Sequence, residues 1–518
     1  MSAFKRITFG VAIAWISRLV TAFSGLLLMP FLFRLINKEE LGIWFLLGNS
    51  QQFISLLGFG IAPTLTRYIA FAKGKSGSDV NVDINEESKK EIADLVFTGQ
   101  VVLRTLAVFV FFVACISGYL LIRQLTLKEA KLTTVIIAWV LLCAGNAIGV
   151  WVSYLNCWLT GIGYVGWEGV INTSIYLISI VSNIVIAFAG FGLLGLSTVT
   201  FVSGLVQRFA TIAFLRSVKP ELFKDKGTWD KSLAVKLFKP SLLAWLTGLG
   251  GLLIHRTDAY FIAFFQGAQS LPNYQVAYVI TSTVYSFSIS LADASPTFIS
   301  QAWQAGDIAT VHLLTIRNAQ IGMSFMAAGS AFLLTVGKEL FSLWLGNNSF
   351  VGYGVLIVFC IMFTLEAQQM NLVTSARATE DEKYVPAALT AGVLNIFFTW
   401  LLIKPFGLLG VALGTMIAQM LTNNWYAVYR PIIRLKLDFK VYLKKVVLLW
   451  VQLFLVSLSI SFTVKYFLHI LEMPNWCLIL AVLCVCGFTF CAFMWNKVID
   501  NNQRDIISSK LRHLINQN

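Results

Sequence analysis

Arg18, Arg104, His255, Arg256, Asp258 and Glu366 all fall inside apolar stretches of the chain. Ionisable groups at membrane depth are costly, so by default they mark a pocket or a pathway. An arginine there offers a planar fork of donors that grips an oxyanion, a phosphate above all, through paired hydrogen bonds. Arg18 lies near the middle of its stretch, far from water at either end. Arg104 lies in the half of its stretch nearer Lys89 and Lys90, and His255, Arg256 and Asp258 cluster just past the middle of theirs. Three positions separate His255 from Asp258, so the two could also pair on one helix face. Glu366 is followed by Gln368, Gln369 and Asn371. These groups suit the hydroxyls of a sugar-like solute or a coupling ion, and equally suit bonds to neighbouring helices. Arg208 and Arg317 stand near the ends of their stretches and read as snorkelling side chains. Asp293 reads as an interfacial residue beside a break at Pro296.

Other chemistries find no support. No CxxC or HExxH occurs, and the four His are scattered, so no metal site is expected. All eight Cys lie in apolar stretches, and Cys477, Cys484 and Cys491 share one helix face as small packing residues. Gly74-Lys75-Ser76 resembles a phosphate-loop fragment, but the glycine required five positions earlier is Ile69. No cofactor is expected, and any transport must draw on an ion gradient, the membrane potential or a downhill substrate gradient. External loops are too short for an extracellular catalytic domain, and the Lys-rich internal loops are too short for an internal one, so the chain reads as no enzyme.

The elements that must hold these residues are transmembrane helices. Of 518 residues, 57% are hydrophobic and 12% charged, against roughly 25% charged in soluble domains; mean hydropathy is +0.76. A soluble enzyme, or a soluble domain on one anchor, is excluded. A bilayer core takes about 20 apolar residues as helix. Fourteen stretches qualify: 7–33, 41–71, 94–122, 132–158, 164–188, 192–217, 238–266, 273–302, 312–345, 350–378, 384–405, 407–430, 441–469 and 475–496. The first follows Lys5 and Arg6, exceeds a signal-peptide core and carries Arg18, so it reads as a helix that stays. The fold class expected is an all-α polytopic membrane protein.

The net charge of +14 is distributed as the positive-inside rule requires. Segments 67–90, 216–239 and 430–445, both termini and the loop at Lys383 fall on one side, which is therefore cytoplasmic. No nucleic-acid partner is needed to explain the charge. The chain also repeats. Ala14-Trp15-Ile16-Ser17 returns as Ala244-Trp245-Leu246-Thr247, Pro63-Thr64-Leu65 as Pro296-Thr297-Phe298, and Phe191-Gly192-Leu193-Leu194-Gly195 identically at 406–410. The extra charged loop 73–92 in the first copy accounts for the change of offset. Six helices per copy make this a parallel repeat. The expected domains are a lobe at 1–217, a basic linker at 218–239, a second lobe at 240–430, two further helices at 431–496 and a cytoplasmic tail at 497–518. The charges do not repeat: Arg18 aligns with Gly248 and Arg256 with Leu26. The scaffold is duplicated and the site is not, as expected where two lobes touch different parts of one asymmetric substrate.

Certain patches resemble a family. Phe33 to Trp44 (FRLINKEELGIW), Gly58-Phe59-Gly60 with Thr64-Leu65-Thr66-Arg67-Tyr68, and Asp258 to Gly267 followed by Tyr274 look like the polysaccharide-exporter flippases of the multidrug/oligosaccharidyl-lipid/polysaccharide transporter superfamily. Gly58 departs from the family, which often has Asp there. The resemblance implies two six-helix bundles around a central cavity open alternately to each side. It implies flipping of undecaprenyl-pyrophosphate-linked oligosaccharide units for O-antigen (lipopolysaccharide) or capsule assembly in the bacterial inner membrane, with lipid II flipping as a sub-case. A polysaccharide polymerase and other assembly proteins are the implied partners. Arg18, Arg104 and Arg256 would meet the pyrophosphate; His255, Asp258, Glu366, Gln368 and Gln369 would serve the saccharide or ion coupling. The alternatives are an ion-coupled small-molecule exporter of the same superfamily and an unrelated permease. The major-facilitator signature Gly…Asp-Arg-x-Gly-Arg-Arg is absent from 67–93.

Overall fold

The computed structural model describes residues 3–56, 61–76, 84–218, 220–223, 227–381, 383–499 and 504; within these ranges the side chains at 3–12, 14–16, 18, 22, 63, 165, 221–222, 238–244, 247 and 297 are not described. Among the described residues every regular element is helical. The chain divides into two compact units, Met1–Pro272 and Asn273–Asn518.

The first unit holds α1 (Ala3–Leu35), α2 (Lys38–Leu56), α3 (Ile61–Gly74), α4 (Glu86–Ile122), α5 (Leu132–Gly161), α6 (Val165–Phe188), α7 (Gly192–Val218), α8 (Lys231–His255) and α9 (Asp258–Phe265). The pairs α5·α7, α4·α5, α1·α6 and α3·α5 pack most extensively, and α8 lies on α2, α3 and α4. Those α8 contacts put the unit boundary after α9, whereas the repeat sets its lobe boundaries at 217 and 240. Leu65, Ile69, Val110, Trp139, Leu142 and Trp158 are buried together. On the outer face Phe109, Phe112 and Ile116 of α4 are exposed at helical spacing, as a lipid-facing stripe must be. Stretch 238–266, expected as one helix, is broken: α8 ends at His255, Arg256 leaves helical geometry, and α9 starts at Asp258. His255 and Asp258 therefore do not share one unbroken helix. The Gly58 patch lies outside the described residues.

Two adjacent carboxylates at the start of α2 tie three turns together. Glu39 is buried and accepts the backbone N–H groups of Lys128 (2.8 Å), Glu129 (2.6 Å) and Ala130 (2.7 Å). Glu40 accepts from the backbone N–H of Leu193 at 3.0 Å, where a carboxylate stabilises the N-terminal end of α7. Gly192 has φ +50°, and a Cβ there would sit 2.3 Å from the Glu40 carboxylate. Only glycine fits that approach.

The second unit holds α10 (Leu271–Ala294, whose first two residues count with the first unit), α11 (Pro296–Gln304), α12 (Ile308–Leu345), α13 (Tyr353–Arg377), α14 (Val385–Leu421), α15 (Asn423–Arg434), α16 (Phe439–Tyr442), α17 (Leu448–Ile470) and α18 (Asn475–Phe493). α12 is central, packing on α11, α13, α17 and α18. It kinks at Val336 (φ −120°, ψ 15°). Lys465 Nζ donates to the Thr335 carbonyl at 2.7 Å and pairs with Glu339 at 2.8 Å, so a side chain inserted into the helical ladder accounts for the bend. α14 reverses at Gly407 (φ 56°, ψ −133°). Thr415 Oγ1 then bonds Asn395 Oδ1 at 2.9 Å, and a Cβ on Gly414 would lie 2.6 Å from the Thr399 nitrogen. Residues 385–406 and 407–421 thus pack against each other as two crossings. Nine helical stretches among the described residues are long and apolar enough to cross a membrane, Val385–Arg434 being counted as one.

Two rare π-helical segments complete this unit: Leu443–Val447 between α16 and α17, and Met494–Val498 at the end of α18.

Candidate functional site

The break between α8 and α9 puts four polar residues, His255 to Asp258, inside an otherwise apolar span. Irregular backbone at membrane depth is tolerated where it is buried in protein or lines a cavity. Asp258 and Thr257 are buried, and His255 and Arg256 are half-buried. Arg256 Nη1 donates to Asn49 Oδ1 of α2 at 3.2 Å. The Asn49 amide in turn donates to the Phe45 carbonyl at 2.9 Å, which fixes the carbonyl end of its side chain towards the arginine. One turn on, Tyr260 Oη bonds Ser50 Oγ at 2.7 Å and meets the Phe53 ring edge-on at 6.0 Å. α2 and the α8–α9 break thus form a polar seam holding a guanidinium through a neutral partner.

A cavity of about 230 Å³ adjoins this seam, lined by Ser50, Phe53, Trp139, Trp245, Tyr260 and Phe264 with further aliphatic residues. Its walls are mainly apolar, suited to hydrocarbon or a flat ring face, and it is too small for an oligosaccharide.

A second polar seam joins α1, α6 and α7. Ser17 Oγ meets Thr173 Oγ1 at 2.5 Å. Glu168 accepts from Asn172, whose carbonyl oxygen accepts from Gln207 Nε2 at 2.7 Å. Arg18 follows Ser17 on α1, and its side chain lies outside the described residues. Arg104 stands on the exposed arc of α4 beside Val108 and makes no ion pair or hydrogen bond among the described residues. Arg208 stacks over the Trp151 ring at 3.5 Å.

In the second unit the candidates separate. Glu366 and Gln369 are buried on one face of α13; one turn before Glu366, Phe363 packs on Tyr285 with ring centroids 5.5 Å apart. Asn371 is wedged between helices: a Cβ on Gly322 would lie 2.8 Å from its amide and 2.3 Å from the Ser288 carbonyl. Its amide donates within α13, to the Ala367 carbonyl at 2.7 Å, so the contact between helices is one of packing. Gln368 points elsewhere, into a largely apolar cavity of about 690 Å³ with Asn424, Trp425 and Tyr429. Asp293 is exposed. Two features had no clear sign in sequence. Asn49 has nothing in its sequence context to single it out. Arg317 reads as a snorkelling end, but it lines a basic cavity of about 1010 Å³. Among the described residues no group of acidic, His or Cys side chains could hold a metal ion.

Comparison with known proteins bears on this geometry. The family described as polysaccharide biosynthesis protein matches residues 7–301, more than half of the chain. A solved structure described as lipid II flippase MurJ in an inward closed conformation is similar with a TM-score of 0.68 at 15% identity, covering 94% of this chain and 98% of that one. An inward-facing multidrug-resistance transporter of the MATE family, in the MOP superfamily, is similar with a TM-score of 0.63 at 17% identity, covering 80% and 98%. A MOP-superfamily transporter from Pyrococcus furiosus is similar with a TM-score of 0.55 at 16% identity, covering 83% and 94%. No curated protein matches by sequence. At such identities the structural likeness shows the fold, an all-α polytopic transporter fold. The family match shows membership: the chain belongs to the polysaccharide biosynthesis protein family.

Proposed function

We propose that the protein flips undecaprenyl-pyrophosphate-linked oligosaccharide units to the outer leaflet of the bacterial inner membrane by alternating access, for O-antigen- or capsule-type polysaccharide synthesis. The observation that carries this is the broken α8–α9 span, where Arg256 is held by neutral Asn49. Moving two phosphates through a low-dielectric passage requires compensating cations, and a guanidinium at a break in a membrane helix is one such cation. Arg18 is assigned the same role from its depth in α1. Family membership and a solved flippase of the same fold support the substrate class. The membrane supplies the lipid-linked substrate, and a polymerase is the partner expected downstream.

The test is surface polysaccharide in a strain lacking its own flippase. Arg256→Ala and Arg18→Glu are expected to abolish export at normal membrane abundance, and Arg256→Lys and Arg18→Lys to keep part of it, since charge survives and the fork does not. Full export by normally expressed Arg18→Glu and Arg256→Ala would remove the diphosphate role. The Glu168–Asn172–Gln207 ladder favours a second reading, an ion-coupled small-molecule exporter; cation-driven efflux from vesicles, lost in Glu168→Gln, would select it.

A further inference from the structure

The cavity of about 1010 Å³ in the second unit lies outside both polar seams and serves no step above. It is lined by α12, by the turn after α15, and by the two π-helical segments. Arg317, Lys436, Lys444, Lys445 and Lys497 all face it, with His312 at its edge. Its one carboxylate, Asp438, is committed: it caps α16 by accepting from the backbone N–H groups of Lys440 (2.8 Å) and Val441 (3.5 Å). His312 Nε2 is engaged by the Leu435 carbonyl at 2.7 Å. None of the five cations makes an ion pair among the described residues.

The backbone is unusual where these cations sit. Lys436 has φ +55°, a left-handed conformation that Gly or Asn adopts at lower cost. Lys444 and Lys445 lie in one π-helical segment and Lys497 in the other; such segments are rare and recur at functional sites. Like charges gathered around one concavity repel one another, and a positive-inside bias requires charge in a segment, not a concavity to hold it. Beside the cations part of the lining is apolar, with Leu313 one turn from Arg317 and Leu448 one turn from Lys444; both leucines belong to exposed, lipid-type faces of their helices.

We propose that this cavity binds the phosphate headgroup of an anionic membrane lipid, with the cations on the phosphate and the acyl or prenyl chain leaving along Leu313 and Leu448. Basic pockets between helices bind such headgroups, and the apolar wall favours a lipid over a free anion.

Native mass spectrometry of the full-length protein tests it, with phosphatidylglycerol, phosphatidylethanolamine, undecaprenyl pyrophosphate and inorganic pyrophosphate as separate probes. The wild type is expected to retain phosphatidylglycerol about tenfold better than phosphatidylethanolamine. Lys444→Gln/Lys445→Gln/Lys497→Gln together should remove that preference, and the three Lys→Arg changes should restore it. Lys338→Gln/Lys383→Gln/Lys404→Gln, an equal loss of charge at exposed positions elsewhere in the unit, should leave it unchanged. Undecaprenyl pyrophosphate displacing phosphatidylglycerol would name the lipid-linked diphosphate as the phosphate source and uphold the site. Undiminished preference in the Gln triple variant, equal loss in the control, or displacement by equimolar inorganic pyrophosphate would overturn it.

Discussion

At the scale of residues, two side-chain environments make opposite demands on charge. Asn49, a neutral amide, accepts a hydrogen bond from Arg256. Asn49→Asp would convert that bond into a charge-assisted pair, stronger by about 1 kcal/mol or more. The variant is expected to melt at or above the wild-type temperature yet export less, because the added carboxylate competes with the substrate's phosphates for the guanidinium. Asn49→Leu should leave abundance near normal and lower export about tenfold, through loss of positioning. Thermal midpoints and surface polysaccharide, read together, check both. Glu39, at the other end of α2, needs its charge. Burial alone would raise its pKa, but bonds from the Lys128, Ala130 and Glu129 backbone N–H groups outweigh this and hold it below the ordinary 4.5. A depressed folded-state value means stability present above about 4.5 and lost as pH falls through that lower value. Glu39→Gln should cost about 2 kcal/mol near pH 7. The gap between the two melting curves should narrow steadily in acid; a pH-independent gap would contradict the ionised clamp.

At the scale of elements, interruptions matter more than helices. Gly407 turns α14 back on itself at φ 56°, ψ −133°, a region closed to residues with a Cβ. Gly407→Ala should destabilise by about 1–3 kcal/mol, read as reduced membrane abundance and an earlier thermal midpoint. Alanine at the neighbouring exposed Phe406 should change little. The helices were legible because length and hydropathy alone decide them; stretches 132–158 and 475–496 differ from α5 and α18 by a few residues. The reversal at 406–407 was legible through Pro405 and Gly407. The break at 256 was not, because His, Arg, Thr and Asp are all tolerated within a helix. The kink at Val336 depends on Lys465, 129 positions away in sequence, and the π-helical segments leave no compositional mark. The site follows the same division. Arg256 announces itself by depth, whereas Asn49 and the basic cavity around Arg317 exist only once distant helices meet.

At the scale of the whole molecule, alternation of turns fixes the crossings. Glu39 and Glu40 bring the turn after α1 against the turns before α5 and α7. Thr228 donates its backbone N–H to Asp94 at 2.6 Å, and Asp230 donates to Thr98 at 3.2 Å, which joins the segment before α8 to the start of α4. In the first unit, odd-numbered turns therefore meet at one end and even-numbered turns at the other, as six full crossings require. The second unit does the same within itself. Arg430 forms a two-point pair with Asp381 (2.8 and 2.6 Å), and Arg434 donates to Thr379. His312 reaches Leu435, so the turns before α12, α14 and α16 meet at one end. The Asn273 amide donates to the Asn348 carbonyl at 3.0 Å, so the first turn of α10 meets the turn before α13. Which end faces the cytoplasm is a matter of charge. Segments 216–239 and 430–445, dense in Lys and Arg, are the ones that the positive-inside rule expects inside. Reporter fusions after Ser217 and after Asn518 should therefore both read cytoplasm, and a fusion after Ala130 should read the opposite side. The Ala130 site carries the sharper test, because Glu39 ties that turn to the one before α2. A cytoplasmic signal there, with the Ser217 fusion also inside, would mean that α5, α6 and α7, which lie between the two sites, do not all cross. The alternation that pairs Glu39 with residues 128–130 would then be broken, whatever side the termini share.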